Sequence, residues 1–337
     1  MAAARGIPTL DEVLDSMRVV ALPTRTRFRG ITVREAAIFD APHGASEFSP
    51  FPEYDDREAA HWFAAALEYG WGELPPLRRE WIAVNATVPA IAADEVAGVL
   101  ARFPGCTTAK VKVAERGQTL ADDIARVRAV REAMGPDALV RIDANGGWNV
   151  DEAVTALTAL ADYDLDYAEQ PCMSVDELVA VRQLTKDQKV GSSPLVRIAA
   201  DESVRKADDP LAVARAGAAD LLIVKAQPLG GIAKALDLIE QAGLPVVVSS
   251  ALDTSVGIGM GLHLAASLPD QLLAGACGLG TAALLAADVT GDPLLPEDGG
   301  IAVRRPTLDS ELLGRYAADA DTTAWWRERV TRCYARL

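Results

Sequence analysis

Histidine and cysteine are scarce in this sequence, and their scarcity limits the chemistry that it can support. Only three histidines, His43, His61 and His263, occur among 337 residues, and they lie far apart in the chain. A site made from several histidines would need all three to converge, so we do not expect one. The four cysteines are also far apart and form no C-x-x-C pair. This argues against a disulfide framework or a zinc–thiolate site and favours a reducing, cytoplasmic environment.

Clusters of positive charge and long apolar runs are missing as well. The formal net charge is -15, so most of the surface would repel a polyanion, and we expect no nucleic-acid partner. No apolar run approaches the length of a membrane-spanning helix, and the first residues lack the apolar core of a signal peptide. We therefore expect no membrane association. Half of the residues are apolar and 24% are charged, which is typical of a globular protein.

Short apolar runs alternate with amphipathic stretches from about residue 81 onward, as in repeated β-α units. One amphipathic stretch places Leu120, Ile124 and Val127 on the same helical face. Eight such units, with no G-x-G-x-x-G after the first run, favour an α/β fold of the closed β/α barrel type over an open doubly wound sheet. The eight apolar runs cover residues 81–88, 107–113, 138–144, 165–170, 196–202, 221–226, 245–251 and 272–280.

The segments that flank these units lack the alternation. Residues 1–80 contain strand-like runs, a turn-rich stretch and a helix-like stretch near 57–69, so they predict an α+β capping domain. Residues 290–337 end in another helix-like stretch, which we expect to return and pack on that domain. The predicted organisation is a capping domain at 1–80, a catalytic barrel at 81–289 and a returning segment at 290–337.

Charged residues stand at the ends of five consecutive predicted strands, although barrel strands are buried on both faces. In such barrels the carboxyl ends of the strands form the rim that carries the active site. Because side chains alternate along a strand, Lys110 and Lys112 face the same side, as do Arg141 and Asp143. Strands 2 and 6 are opposite in a ring of eight, so three carboxylates would lie between two lysine-bearing strands. The charges are Lys110 and Lys112 on strand 2, Asp143 on strand 3, Glu169 on strand 4, Asp201 and Glu202 on strand 5, and Lys225 on strand 6.

Three converging carboxylates would repel one another unless a cation lies between them. A hard divalent ion prefers oxygen ligands, so Asp143, Glu169 and Asp201 predict a site for Mg²⁺, with Mn²⁺ as an alternative. A metal with free coordination positions can bind a substrate carboxylate and stabilise the charge that develops when an α-proton is removed. Lys112 is the predicted base, and Lys110 is expected to shape its surroundings. Each acid alone has a simpler interpretation as a turn, cap or strand-end residue, and only their joint arrangement favours a metal site.

Five motifs together resemble the enolase superfamily, in its muconate-lactonizing subgroup. They are K-V-K at 110–112, R-I-D-A-N at 141–145, A-E-Q-P at 168–171, A-D-E-S at 200–203 and K-A-Q-P-L-G-G at 225–231. The resemblance spans nearly the whole chain and implies α-proton abstraction from a small-molecule carboxylate through a metal-stabilised enediolate. Three further stretches, at 44–52, 249–257 and 277–281, look most like the dehydratases of this subgroup that form o-succinylbenzoate.

For such a dehydratase, the resemblance implies a role for each residue. Lys112 would remove the α-proton of 2-succinyl-6-hydroxy-2,4-cyclohexadiene-1-carboxylate and protonate the departing hydroxyl on the same face, in menaquinone biosynthesis. Lys225 would stabilise the enediolate from the other face. Four neighbours would support the site: Lys110, Arg141, Asn145 and Glu202.

The resemblance also suggests how the substrate is held and covered. Ser249 and Ser250 end the seventh strand, and their hydroxyls, with the amides that open the following helix, are candidates for binding the succinyl carboxylate. The Arg-rich segment 25–29 and the segment 43–54 are candidates for covering the pocket.

Three other functions stay open on the sequence. An N-succinylamino acid racemase, or another enzyme of the muconate-lactonizing subgroup, would need the same metal, and in the racemase Lys112 and Lys225 would work on opposite faces. A Schiff-base aldolase would use Lys225 as a nucleophile and would need no metal. A non-enzymatic binding barrel would keep its function after Lys112→Ala.

Overall fold

The computed structural model describes residues 7–28, 30–186, 189–190, 193–194, 196–205 and 209–337. A three-stranded antiparallel sheet with two long helices lies beside a curled parallel sheet that is flanked by helices. This arrangement is the predicted fold class, a β/α barrel with an α+β capping region.

The elements of the described residues are as follows. The strands are β1 (Met17–Phe28), β2 (Ile31–Phe39), β3 (Ser46–Phe48), β4 (Trp81–Ala83), β5 (Ala86–Val88), β6 (Thr108–Lys112), β7 (Leu139–Asp143), β8 (Leu165–Glu169), β9 (Lys189–Val190), β10 (Ser193–Pro194), β11 (Arg197–Ala200), β12 (Leu221–Val224), β13 (Val246–Val248) and β14 (Gly300–Ala302). The α-helices are α1 (Leu10–Ser16), α2 (Asp56–Trp71), α3 (Val96–Leu100), α4 (Leu120–Met134), α5 (Val150–Ala159), α6 (Val175–Lys186), α7 (Glu202–Arg205), α8 (Ala212–Arg215), α9 (Ala226–Leu229), α10 (Ile232–Ala242), α11 (Ser255–Ser267), α12 (Ser310–Arg315) and α13 (Ala320–Tyr334).

The capping sheet has the order β1-β2-β3, and α2 and α13 pack against it and against each other. Asp55 begins α2 by accepting a hydrogen bond from the amide of Glu58, which satisfies one of the free amides of the first turn. The core of this region is aromatic: the Phe48 ring lies edge-to-face with Phe63 and Trp326, at centroid distances of 5.5 and 5.6 Å. Trp326 thus packs in the same core as the N-terminal strands, while the domain boundaries at 80 and 289 remain predictions.

The larger sheet contains seven parallel strands in the order β13-β12-β11-β8-β7-β6-β5. The connections between parallel neighbours must return across the sheet, so all seven strands end at the same rim. Their register aligns the last residues of adjacent strands, because Lys112 is opposite Asp143 and Asp143 is opposite Glu169. The backbone register therefore brings the charged strand ends together.

The first predicted strand, 81–88, is divided in the structure. Only β5 joins the parallel sheet, whereas β4 pairs with the antiparallel β14. The division occurs where the amides of Val84 and Asn85 donate to the carbonyl oxygens of Gly299 and Cys277, which lie in different parts of the chain. The prediction of one continuous strand here is wrong, since two partners compete for the same apolar run.

The eighth predicted strand, 272–280, is not a regular strand. It forms single bridges instead, from Leu273 to Val246 on one side and from Cys277 to Val84 on the other. Gly275 has a φ of 92°, a left-handed conformation that interrupts extended backbone. The segment nevertheless lies between β13 and the stretch that contains β4 and β5, and it closes the ring.

The helices predicted near 57–69 and from Leu120 are confirmed as α2 and α4. Among the residues that the structure describes, no helix combines the length and apolar character needed to cross a membrane.

Candidate active site

Six charged side chains meet at the rim, within two residues of the ends of β6, β7, β8, β11 and β12. Five of them are at least nine-tenths buried: Lys110, Asp143, Glu169, Asp201 and Lys225. The side chain of the sixth, Lys112, is 12% exposed, which is close to the 11% of the Lys225 side chain. Buried charges are stable only when they are paired, so the partners of each group define the site.

One half of the site joins the two lysines of β6 to two carboxylates. The Nζ of Lys110 lies 3.1 Å from Oδ2 of Asp143 and 2.9 and 3.0 Å from the two carboxylate oxygens of Glu169. The Nζ of Lys112 donates to Oδ2 of Asp143 at 2.6 Å and to Oδ1 of Asn145. Lys110 thus bridges two acids, while Lys112 is held at the wall of the site.

The other half is centred on Asp201. Its Oδ2 accepts from Nζ of Lys225, and its Oδ1 accepts from Nε of Arg205 at 3.1 Å. Arg205 also donates through Nη2 to Oε1 of Glu202 at 2.7 Å. The same Glu202 oxygen accepts from Nδ2 of Asn145 at 3.2 Å, which links this half to the first.

Burial and mutual charge set the protonation of these groups. Burial, helped by repulsion from Asp143, raises the pKa of Glu169 to about 7. Burial acts in the same direction on Asp143, but Lys110 and Lys112 outweigh it and hold the pKa of Asp143 well below its usual range. Burial favours the neutral amine of Lys110, yet Asp143 and Glu169 outweigh it and raise the pKa of Lys110. Lys110 therefore stays an ammonium ion, which suits a supporting role and not that of a base.

Lys225, on the opposite side of the site, differs from Lys110 in its protonation. Burial lowers the pKa of Lys225, and the attraction of Asp201 only partly offsets this effect. For Asp201 itself, burial is outweighed by Lys225 and Arg205, so its pKa is lowered. Lys225 can thus carry a proton or release it at a smaller cost than Lys110.

The three predicted metal ligands fit a hard divalent cation in their chemistry. Asp143, Glu169 and Asp201 are each 1% exposed and offer only oxygen donors, and repulsion from Asp143 and Asp201 contributes to the raised pKa of Glu169. Within the described ranges, no three Asp, Glu, His or Cys side chains already surround one point in a metal-binding arrangement. The ammonium groups of Lys110 and Lys225 hold oxygens of all three carboxylates in ion pairs.

A cavity of about 520 Å³, including its open mouth, lies over these groups. Barrel residues line its floor, and aromatic side chains of the capping region line its other side. The lining residues are Phe28, Phe51, Tyr54, Trp62, Thr87, Lys110, Lys112, Asp143, Asn145, Asp201, Arg205, Lys225, Ser249, Ser250, Ala251, Gly278 and Thr281. Of the segments expected to cover the pocket, 25–29 contributes Phe28 and 43–54 contributes Phe51 and Tyr54, while Arg29 lies outside the described residues.

The two predicted substrate-binding serines line the cavity but differ in their bonding. The hydroxyl of Ser250 donates to the carbonyl oxygen of Gly278 at 2.7 Å and lies 2.8 Å from Oγ1 of Thr281. Its proton is therefore already used. In the described part of the chain, Oγ of Ser249 has no such partner, so Ser249 is the better donor to a substrate.

The amides that open the following helix, α11, do not face a substrate. Those of Thr254 and Gly257 donate to Oε2 of Glu47 at 3.2 and 3.0 Å, and that of Ser255 donates to Asp288 at 3.2 Å. The part of the prediction that assigns these amides to the succinyl carboxylate is wrong, because carboxylates of the protein itself occupy them.

Arg141 is fully buried below the rim and does not line the cavity. Its Nε donates to Oδ2 of Asp166 at 2.8 Å, its Nη1 donates to the carbonyl oxygen of Ala276 at 2.6 Å, and its guanidinium lies 4.7 Å from the Tyr167 ring centroid. It therefore ties the closing segment 273–278 to the sheet.

Sequence reasoning missed Arg205 and, among the lining aromatics, Trp62. Arg205 follows Asp201 by four residues, which is one helical turn, so the spacing D-x-x-x-R is the signal that could have identified it. No comparable local signal marks Trp62, since an apolar face of α2 is expected to be buried in any case.

Comparison with known proteins agrees with this geometry. Residues 92–307 match the model of the enolase C-terminal domain-like family, and residues 19–70 match that of the enolase N-terminal domain-like family. An o-succinylbenzoate synthase from Mycolicibacterium smegmatis is 53% identical over 333 residues, covering 98% of this chain and 99% of that protein. The chain belongs to the o-succinylbenzoate synthase family of the enolase superfamily. The family predicted from the motifs is therefore confirmed.

Further relatives of this family and of its fold are similar. An o-succinylbenzoate synthase from Mycobacterium tuberculosis is 52% identical over 332 residues, covering 98% of this chain and 97% of that protein. The crystal structure of 2-chloromuconate cycloisomerase from Rhodococcus opacus 1CP has a TM-score of 0.73 at 23% identity, covering 90% of this chain and 98% of that one. This structural likeness shows the shared fold. Enzymes of the enolase superfamily generally use a divalent metal.

Proposed function

We propose that this chain is an o-succinylbenzoate synthase, which dehydrates 2-succinyl-6-hydroxy-2,4-cyclohexadiene-1-carboxylate to o-succinylbenzoate. The observation that carries the proposal is the 53% identity to a relative of that name over 98% of the chain. We place the reaction in menaquinone biosynthesis and in the cytoplasm, as the family resemblance and the unpaired cysteines suggest. We also propose that the capping domain at 1–80, completed by 290–337, covers the barrel at 81–289.

Lys112 would act as the base and then as the acid. As a neutral amine, its Nζ removes the α-proton, and the resulting ammonium ion passes this proton to the departing hydroxyl, which leaves as water. One C–H bond and one C–O bond break while a C=C bond forms, so the reaction needs no oxidant or second substrate. Asp143 and Asn145 hold the Nζ of Lys112 at the cavity wall, where one residue can serve both steps on a single face.

The remaining residues would orient the substrate and balance its charge. Asp143, Glu169 and Asp201 would hold Mg²⁺, or Mn²⁺ as an alternative, which when bound supplies positive charge facing the substrate carboxylate. Lys225 would face the enediolate from the side opposite Lys112, Lys110 would keep its positive charge beside the acids, and Ser249 would donate to the succinyl carboxylate.

A racemase activity is the second candidate. Lys112 and Lys225 approach the cavity from different strands, and two bases on opposite faces are what racemisation of an N-succinylamino acid requires. A likeness in fold to the N-succinyl Arg/Lys racemase of Bacillus cereus, with a TM-score of 0.71 at 20% identity, makes this activity worth measuring. The aldolase alternative has no support from the family to which the chain belongs.

The test combines two substrates and a chelator. We expect the purified protein to convert the cyclohexadiene acid to the aromatic product, to lose this activity in EDTA and to regain it with Mg²⁺. Rapid α-hydrogen exchange of an N-succinylamino acid in deuterium oxide, without dehydration of the cyclohexadiene acid, would overturn the proposal in favour of the racemase. Activity that survives EDTA, together with a Schiff base on Lys225 that borohydride reduces to a stable adduct, would favour the aldolase instead.

A further inference from the structure

A buried guanidinium lines the cavity without a part in the proposed chemistry. Arg205 ends α7, and its side chain is 3% exposed. It makes three directional hydrogen bonds at once: Nε to Asp201 at 3.1 Å, Nη2 to Glu202 at 2.7 Å and Nη1 to the hydroxyl of Tyr54 at 3.2 Å. Two of these partners belong to the barrel, and the third belongs to the capping region.

The barrel partners extend from Arg205 to both lysines. Oδ2 of Asp201 accepts from Lys225, so two hydrogen bonds connect Arg205 to Lys225 through Asp201. In the other direction, Oε1 of Glu202 accepts from Asn145 at 3.2 Å, and Asn145 in turn accepts from Lys112. A displacement of the guanidinium would therefore change the positions of the base and of the opposite lysine together.

The capping partner is anchored from its other side. Tyr54 packs edge-on against Phe51, at a centroid distance of 5.7 Å, and its carbonyl oxygen accepts from Nη2 of Arg329 in α13. Phe51 and Tyr54 both line the cavity. The Tyr54 hydroxyl is thus a fixed point through which this wall of the cavity meets the acidic rim.

We propose that Arg205 is a positioning residue that sets Lys112, Lys225 and the capping segment 51–54 in one common arrangement. The proposal rests on the proposed function for its catalytic consequence alone. A guanidinium fork can satisfy three acceptors in fixed directions, whereas a lysine ammonium at the same place is a point charge on a flexible stem. A positive charge at position 205 is therefore not sufficient to hold the three acceptors, and the fixed hydrogen-bond directions of the guanidinium are required.

The matched substitutions are Arg205→Lys and Arg182→Lys. Arg182 also makes several hydrogen bonds, to Asp220 and Gly217, but it does not line the cavity. We expect Arg205→Lys to lower kcat by about 100-fold, as a displacement of the reacting groups does, with KM within about threefold of the wild type. Arg182→Lys should leave both constants within about twofold, because it lies outside the site.

Hydrogen exchange tests the capping link without any substrate. We expect Tyr54→Phe to speed amide exchange in residues 50–56 by about tenfold through loss of one hydrogen bond to a charged group. Tyr69→Phe, which removes another buried tyrosine hydroxyl in the capping region, is the control and should not change it. Adding Tyr54→Phe to Arg205→Lys should have no further effect, since both changes remove the same bond.

The outcomes separate this proposal from the proposed function. If the wild type lacks dehydratase activity, the proposed function fails, while the exchange measurements still decide the role of Arg205. Should Arg205→Lys not fold, Tyr54→Phe alone decides it: unchanged exchange in residues 50–56 would overturn the proposal. Unchanged kcat in a folded Arg205→Lys protein would overturn it as well.

Discussion

Two buried clusters of ionisable groups, the rim described above and a joint between the capping region and the barrel, hold their carboxylates in different ways. At the rim, ammonium groups on long side chains hold the carboxylates. The joint consists of Glu47, Ser49, Thr254 and Gly257. There the Glu47 carboxylate accepts from the Thr254 and Gly257 amides at 3.2 and 3.0 Å and from the Ser49 and Thr254 hydroxyls at 2.5 Å each.

The difference lies in how freely the partners can move. A lysine ammonium can leave one carboxylate for another acceptor when a ligand arrives, because it is carried on four flexible carbons. Amides at the start of α11 and short hydroxyls cannot follow, so the joint has one arrangement. The rim is therefore expected to serve chemistry, and the joint to serve stability. Substitutions in the two clusters should separate these effects.

The largest effect should come from the rim. We expect Lys112→Ala to lower kcat at least about 1000-fold, because it removes the group that we propose transfers the proton in both steps. Unfolding temperature should change little, since Lys110 still neutralises Asp143. Lys234→Ala, at an exposed position on α10, is the control. A variant with wild-type turnover would remove Lys112 from the mechanism and require another base.

The corresponding change in the joint should act on stability. Glu47→Ala leaves two amides and two hydroxyls without their acceptor, and we expect it to lower the free energy of unfolding by about 4 kcal/mol. Denaturant titration followed by circular dichroism measures this loss. A decrease as small as that of an exposed control, Glu53→Ala, would show that the joint contributes no more than ordinary surface contacts.

The joint should also make stability depend on pH. Burial, with repulsion from Asp253, raises the pKa of Glu47 from 4.5 to about 7. Between these values the unfolded chain releases the proton and the folded chain keeps it, so this group's contribution to stability falls as pH rises. The side chain in Glu47→Gln cannot ionise. The free energy of unfolding of this variant, relative to that of the wild type, should therefore increase from pH 5 to 8, by no more than about 3 kcal/mol. Thermal unfolding at each pH measures this difference. A difference that is constant over this range would contradict the assignment.

The smallest effect should come from the serines at the end of β13. We expect Ser249→Ala to raise KM by about tenfold through the loss of one hydrogen bond to a charged group, with little change in kcat. Ser250→Ala should affect KM less, since its proton is donated to Gly278. Steady-state kinetics on the two variants makes the comparison, and the reverse order would mean that Ser250 turns towards the substrate.

The rim could be predicted from the sequence because each of its determinants is local. Alternation along one strand sets the common direction of Lys110 and Lys112, and the repeated β-α order sets which strands are neighbours. The parallel register then aligned Lys112, Asp143 and Glu169 without further information.

The joint could not be predicted, because its determinants are distant in the chain. Glu47 lies in a turn-rich stretch that was expected to cover the pocket, yet its carboxylate reaches the amide of Gly257, 210 residues later. For the same reason the first turn of α11 looked available for a substrate. The division of 81–88 between two sheets has a similar cause, because β4 pairs with β14, which lies far away in the sequence.

Arg329 carries a consequence for the order of folding. Its guanidinium holds the carbonyl oxygens of Phe51 and Tyr54, which are separated from it by 278 and 275 residues. Contacts of such long sequence separation form late, because a long loop must close before they stabilise anything. A chain still being synthesised can assemble its parallel strands in order, but the wall that contains Tyr54 must wait until residue 329 has emerged. Catalytic competence should therefore arise in a final step, after most of the secondary structure has formed.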